Sequence, residues 1–171
     1  MTLKFSPWAK WDDRVSQLER LQFPGIYALR ISKRNLGGQP FDWVKDIVYF
    51  GMTNSLAGLK GRLSQFNNTL RDKSGGGHGG ADRFRYDYEN GEELANWLYV
   101  SVCPFECQAR DITPENLLVL GQVAMAEYMA FAEYVRRFDT LPKYNNKKAS
   151  PKLSKELTLR SSGTAQKRAA P

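Results

Sequence analysis

Two short apolar runs, FPGIYALRI at residues 23–31 and DIVYFGMTN at 46–54, each set a tyrosine two residues from a glycine. Glycine inside a strand costs conformational entropy and packs nothing, so Gly25 and Gly51 need a backbone reason to be there. Alternation places Tyr27, Leu29 and Ile31 on one face of the first run. In the second it places Tyr49 and Gly51 on one face, with Val48, Phe50 and Met52 on the other. Gly37-Gly38-Gln39-Pro40 supplies turn chemistry between the runs, which are therefore expected to pair as an antiparallel hairpin.

The remaining elements are read around that hairpin, in a chain of 171 residues that suits one domain. Ser6 and Pro7 have the chemistry of an N-cap and first helical position. Trp8, Trp11, Val15, Leu18 and Gln22 follow as a mostly apolar helical stripe that Pro24 stops. Leu59, Leu63, Phe66 and Leu70 predict a helix from Gly58 to about Arg71, with Arg62 bordering its apolar stripe. An arginine there either snorkels along the surface or serves a site. Residues 72–93 read as a long glycine-rich loop with a short strand at 84–88, and 96–102 as a third strand. Thr113 and Pro114 open a long helix to about Phe138. The fold class expected is α+β, with a mostly antiparallel sheet and no internal repeat.

Charge divides the chain. Of the net +7, most lies beyond residue 145, where Lys147, Lys148, Lys152, Lys155, Arg160, Lys167 and Arg168 face only Glu156. A basic, Ser- and Ala-rich tail of this kind either solubilises the chain or is drawn to polyanions such as nucleic acid. No apolar run approaches the roughly 20 residues that a membrane helix needs. The N-terminus lacks a signal-peptide pattern, so an intracellular, cytoplasmic protein is expected.

Several familiar chemistries are weakly represented. SGGGHGGAD lacks the lysine and hydroxyl of a phosphate-binding P-loop. His78 is the only histidine, and with Cys103 and Cys107 it makes three candidates where a structural zinc site wants four. On the long helix, Glu127 falls in phase with Leu120, Val123, Phe131 and Tyr134. Glu133 lies nearer Ala126, Ala130 and Arg137. A carboxylate on an apolar face implies an arginine or a metal ion beside it.

In order along the chain stand Gly25-Ile-Tyr27, Tyr49-Phe-Gly51, Arg62 within LKGRLSQF, a helical glutamate, and Pro142-Lys-Tyr-Asn145. This series, spanning about residues 24–145, resembles the GIY-YIG nuclease family. The resemblance implies a small central antiparallel sheet of three strands flanked by helices, and cleavage of DNA phosphodiesters with one Mg2+ or Mn2+ ion. It implies Tyr27 as general base, Tyr49 orienting water or phosphate, Arg62 stabilising the phosphoryl charge and a helical glutamate holding the metal. It also implies Gly25 and Gly51 leaving room for a phosphate, and Asn145 supporting the site. Many members carry histidine four residues after the arginine; here that position is Phe66, and His78 is the candidate substitute. Glu133 has the spacing to Asn145 found in several members and Glu127 has the better helical phase; Glu127 is preferred.

The chain is accordingly read as an N-terminal helical extension (1–22), a nuclease-like body (23–145) and a basic, disordered tail (146–171). Lys73, Arg83, Arg85, Lys147 and Lys148 are the expected DNA contacts, and a homodimer would allow both strands to be cut. The rival reading is a DNA-binding or DNA-processing accessory module of the same fold without chemistry.

Overall fold

The computed structural model describes residues 1–161. It is an α+β arrangement built on a four-stranded antiparallel sheet in the order β1-β4-β2-β3. The strands are β1 (Ala9–Lys10), β2 (Gly25–Ile31), β3 (Ile47–Thr53) and β4 (Leu98–Pro104). The helices are α1 (Arg14–Gln17), α2 (Gly58–Leu70), α3 (Gly79–Asp87), α4 (Gly91–Ala95), α5 (Pro114–Phe138) and α6 (Leu153–Ser161). No described helix is long and apolar enough to cross a membrane.

The expected hairpin is present as the antiparallel pair β2–β3, with Tyr27 opposite Gly51 and Leu29 opposite Tyr49. Register then slips, so that Arg30 faces Ile47 and Val48 is left over as a bulge. Strict alternation had put Val48 with Phe50; the bulge turns it onto the Tyr49 side, where it packs in the same cluster as Tyr27 and Leu29.

Helices cover both faces of the sheet. On one, Leu59, Leu63, Phe66 and Leu70 of α2 and Ala81 and Phe84 of α3 bury Tyr27, Leu29, Val100 and Val102. On the other, Val123, Ala126, Ala130 and Tyr134 of α5 cover Ile26, Ala28 and Phe50. Thr113 caps α5, its side chain accepting from the Asn116 backbone N–H, with Pro114 in the first turn as its type predicts.

Three expectations are corrected. Residues 1–22 are not one helix: Ala9 and Lys10 pair with Val100 and Tyr99 as an added edge strand, and only Arg14–Gln17 is helical. Trp8 and Trp11 belong to opposite core clusters, so they clamp the sheet rather than sharing a helical stripe. The segment 72–93 is not a structureless loop with a strand, since α3 and the start of α4 occupy it. The tail is not disordered from residue 146: α6 docks on α3, where Ser154 bonds Asp82 through its Oγ at 2.6 Å and Arg83 donates to the Ser150 carbonyl. Arg160 contributes backbone to α6, and Lys167 and Arg168 lie outside the described residues.

Candidate active site

The two tyrosines of the hairpin project from the same face, their rings 6.0 Å apart and both packed in the α2–α3 cluster. Each phenol lies over a glycine. A Cβ on Gly51 would stand 2.5 Å from Cζ and Oη of Tyr27, and one on Gly80 would stand 2.7 Å from the same atoms of Tyr49. The room at Gly51 is thus filled by the Tyr27 ring and not left open for a phosphate. Gly25 serves the sheet instead, because a Cβ there would meet the Cys103 carbonyl oxygen at 2.5 Å. Gly80 was invisible in the sequence as a site residue, since its neighbour Tyr49 is 31 positions away in a chain segment that read as loop.

His78 comes to this cluster from the N-terminus of α3. Its Nδ1 accepts from the backbone N–H groups of Gly80 and Ala81, capping the helix. An imidazole nitrogen that accepts two donors carries no proton, so the ring proton sits on Nε2 and is donated to Tyr27 Oη at 2.9 Å. The ring also packs edge-on to Phe66, at 4.9 Å between centroids. A histidine from a separate element is thereby set against Phe66 of α2.

Burial is the largest influence on Tyr27, Tyr49, His78 and Glu127. It pushes the Tyr27 phenol well up, reinforced by Tyr49 and only partly offset by Arg62. It raises Tyr49 as well, against the opposing pull of Arg62. It raises the Glu127 carboxyl, again with Arg62 opposing. Burial and then Arg62 push His78 down to about 3. One guanidinium thus acts on four groups drawn from β2, β3, α5 and the turn before α3.

Arg62 donates from Nη1 to Gln65 at 2.7 Å, while its buried Nε has no partner among the described residues. No carboxylate lies within ion-pair distance of it among those residues.

A cavity of about 350 Å³ opens beside this cluster, walled by Tyr49, Gly80, Glu127 and Asn145, with Arg83, Lys147 and Lys152 among the cationic lining. Tyr27 and Arg62 are not among the residues that line it; Tyr27 packs against Tyr49, which does. Asn145 holds the open edge of β3, its side-chain amide accepting from the Phe50 N–H at 2.7 Å and donating to the Phe50 carbonyl at 2.8 Å.

Not every candidate converges. Glu133 is held in ion pairs by Arg136 and Arg137, whose hydrogen bonds and charge keep its carboxyl below the usual range, and it borders a different cavity with Trp43 and Met129. Of the expected DNA contacts, Arg83 and Lys147 reach the cavity. Arg85 is paired with Asp72, and Lys73 and Lys148 are exposed outside it. Lys152, which read as a tail charge, is the further cation that α6 brings in. Cys103 and Cys107 are free thiols, and the described residues contain no group of three or more His, Cys, Asp or Glu placed to hold a metal.

Neutral His78 predicts a pH effect on stability. Its folded value lies below the ordinary 6.5, so the unfolded chain takes up the proton first. Its contribution is complete above about pH 6.5 and is lost as pH falls towards 3, at up to about 1.4 kcal/mol per unit. Urea unfolding at pH 6.5 and 5.0 should show a fall of about 2 kcal/mol that His78→Asn, which retains capping chemistry, largely removes. Equal slopes for the two proteins would mean that His78 is not buried neutral.

Comparison with protein-family models, curated proteins and solved structures finds no match to this chain.

Proposed function

We propose that this protein is a divalent-metal-dependent endonuclease that hydrolyses DNA phosphodiester bonds, as its resemblance to the GIY-YIG family implies. The observation that carries the reading is geometric: Tyr27 bonds His78 at 2.9 Å and packs 6.0 Å from Tyr49, which shares a cavity wall with Glu127, and the charge of Arg62 acts on all four. A purely structural arginine has no need of two phenols, an imidazole and an otherwise unpaired carboxylate in its field.

The residues fit a magnesium or manganese ion of the kind that substrate helps to bind. Glu127 is a half-buried carboxylate facing a polar cavity, with its protonation raised for want of a cation close enough to offset burial. Mg2+ is commonly held by one or two carboxylates together with phosphate oxygens and water, so a single glutamate suffices. Such an ion would polarise the phosphate and stabilise the departing 3′ oxygen. The chain's own groups supply the rest. Arg62 would stabilise charge on the phosphoryl oxygens once bound DNA brings them within its reach, Tyr49 orients water or phosphate from the cavity wall, and Arg83, Lys147 and Lys152 receive flanking phosphates.

Tyr27 is proposed as the base, but in the free protein its phenol is enclosed and firmly protonated. The hydrogen bond from His78 favours the phenolate, and added positive charge beside Glu127 works in the same direction. Tyr27 can therefore act as a base only after its own proton has passed to solvent, a loss that the DNA-bound, metal-loaded state would favour.

Supercoiled plasmid incubated with the protein should be nicked with Mg2+ and left intact with chelator. Glu127→Ala should lower the rate at least about 100-fold, and Glu133→Ala should change it less than about threefold. Binding without cutting in Mg2+ and Mn2+ alike would favour the accessory-module reading. A large loss in Glu133→Ala with full activity in Glu127→Ala would reverse the ligand assignment.

A further inference from the structure

The outward side of α5 carries a second pattern that the fold leaves unused. Leu118, Gly121, Met125, Tyr128, Ala132 and Val135 recur at alternating spacings of three and four, opposite the buried Val123, Ala126, Ala130 and Tyr134. All six are exposed, Leu118 at 70%, Met125 at 60% and Tyr128 at 73%. A helix face that meets water is ordinarily polar, whereas an apolar repeat of 3.5 residues is the seam of a two-helix coiled coil.

We propose that this seam is a homodimer interface in which α5 pairs antiparallel with α5 of a second copy. Three features favour that occupant. Reversal about a point between Ala126 and Glu127 maps the stripe onto itself, setting Leu118 against Val135, Gly121 against Ala132 and Met125 against Tyr128 of the second copy. Large side chains then meet large ones, and the small pair lets the backbones approach.

Charge favours the same orientation. Glu115 lies in the first turn of α5 and Arg136 in the last. Antiparallel pairing brings Glu115 beside Arg136 of the second copy and opposes the helix dipoles; parallel pairing would set like charges together. Gly121 supplies the third feature. A Cβ there would meet nothing within 4 Å, so the monomer has no packing use for a glycine that weakens its helix. Tyr128 also lines the cavity, so each copy's seam runs directly into its cavity wall.

A single helix pair buries less than a standard interface, so association in the micromolar range is expected. Sedimentation of the full chain from about 1 to 300 µM should show its mass rise from 19.5 kDa towards twice that value. Met125→Glu, a change at an exposed position, should hold the protein monomeric with unaltered thermal unfolding. Glu115→Arg alone should weaken association severalfold, and adding Arg136→Glu should restore it. One-chain mass at every concentration, or a dimer unaffected by Met125→Glu, overturns the interface. Failure of the paired charge reversal to restore association overturns the antiparallel register. None of these readouts depends on DNA cleavage, so the dimer and the nuclease reading can fail separately.

Discussion

Arg62→Met should lower DNA cleavage by about a thousandfold while leaving the protein as stable as the wild type or about 1–2 kcal/mol more stable. The two halves of this expectation have one cause. Arg62 is half-buried, bonds the neutral side chain of Gln65, has an unpartnered Nε, and lacks a carboxylate within ion-pair distance among the described residues. A cation held like this costs desolvation that its contacts do not return, whereas methionine keeps most of the stem's packing without the charge. In the proposed nuclease, catalysis would have the opposite dependence, because unspent donors in a partly dry site are what a phosphoryl transition state uses. Plasmid-nicking rates, DNA affinity and urea unfolding on the same preparations separate the cases. A variant that loses more than about 2 kcal/mol and cuts DNA normally would make Arg62 a packing residue.

Loss of Arg62 should also be felt by its neighbours. Its charge opposes the upward shift of Tyr27, Tyr49 and Glu127 and adds to the downward shift of His78. Without it the carboxyl of Glu127 rises further and competes less well for a metal ion at neutral pH, and His78 is protonated more easily. Arg62→Met should therefore need more Mg2+ for its residual activity, beyond the loss in rate.

How much of this was readable depended on whether a residue's partners lay within its own element. The hairpin, α2 and α5 declare themselves because their apolar periods run unbroken for two turns or more. Helical phase set Glu127 nearer the apolar face, while spacing to Asn145 pointed to Glu133. The N-terminal segment misleads because Trp8 and Trp11 have helical spacing, yet they anchor opposite faces of a sheet that the chain crosses as a two-residue strand. In α3 the apolar positions Ala81 and Phe84 are embedded among charges, and the cap is a histidine, a residue outside the usual capping set. α6 is held by Ser154 to Asp82 and the turn before it by Arg83 to the Ser150 carbonyl, and a count of lysines carries no trace of these bonds. The bulge at Val48 is likewise a property of the paired strands, since either strand alone alternates perfectly well.

The glycines show the same limit at the scale of atoms, and they yield the second large effect. Gly51→Ala places a methyl carbon 2.5 Å from Cζ and Oη and 2.8 Å from Cε1 of Tyr27. Non-bonded carbon does not tolerate that approach, and the ring has nowhere to retreat. It is fully buried, packed against Tyr49, and tied to His78, whose own Nδ1 is fixed by two backbone donors. Either β2 and β3 separate locally or the phenol swings out of line with His78. Overpacking of this sort costs about 1–3 kcal/mol. Displacing a reacting group by an ångström costs about 100-fold in rate. Gly51→Ala should thus lose stability and cleavage together, which distinguishes it from Arg62→Met, where the two part company. Gly80→Ala is the matched test on the other phenol, because its methyl meets Tyr49 at 2.7 Å and the His78 Cε1 at 3.0 Å. If Gly51→Ala unfolds and cuts like the wild type, Tyr27 does not lie over that glycine, and the hairpin's paired Tyr and Gly positions have some other cause.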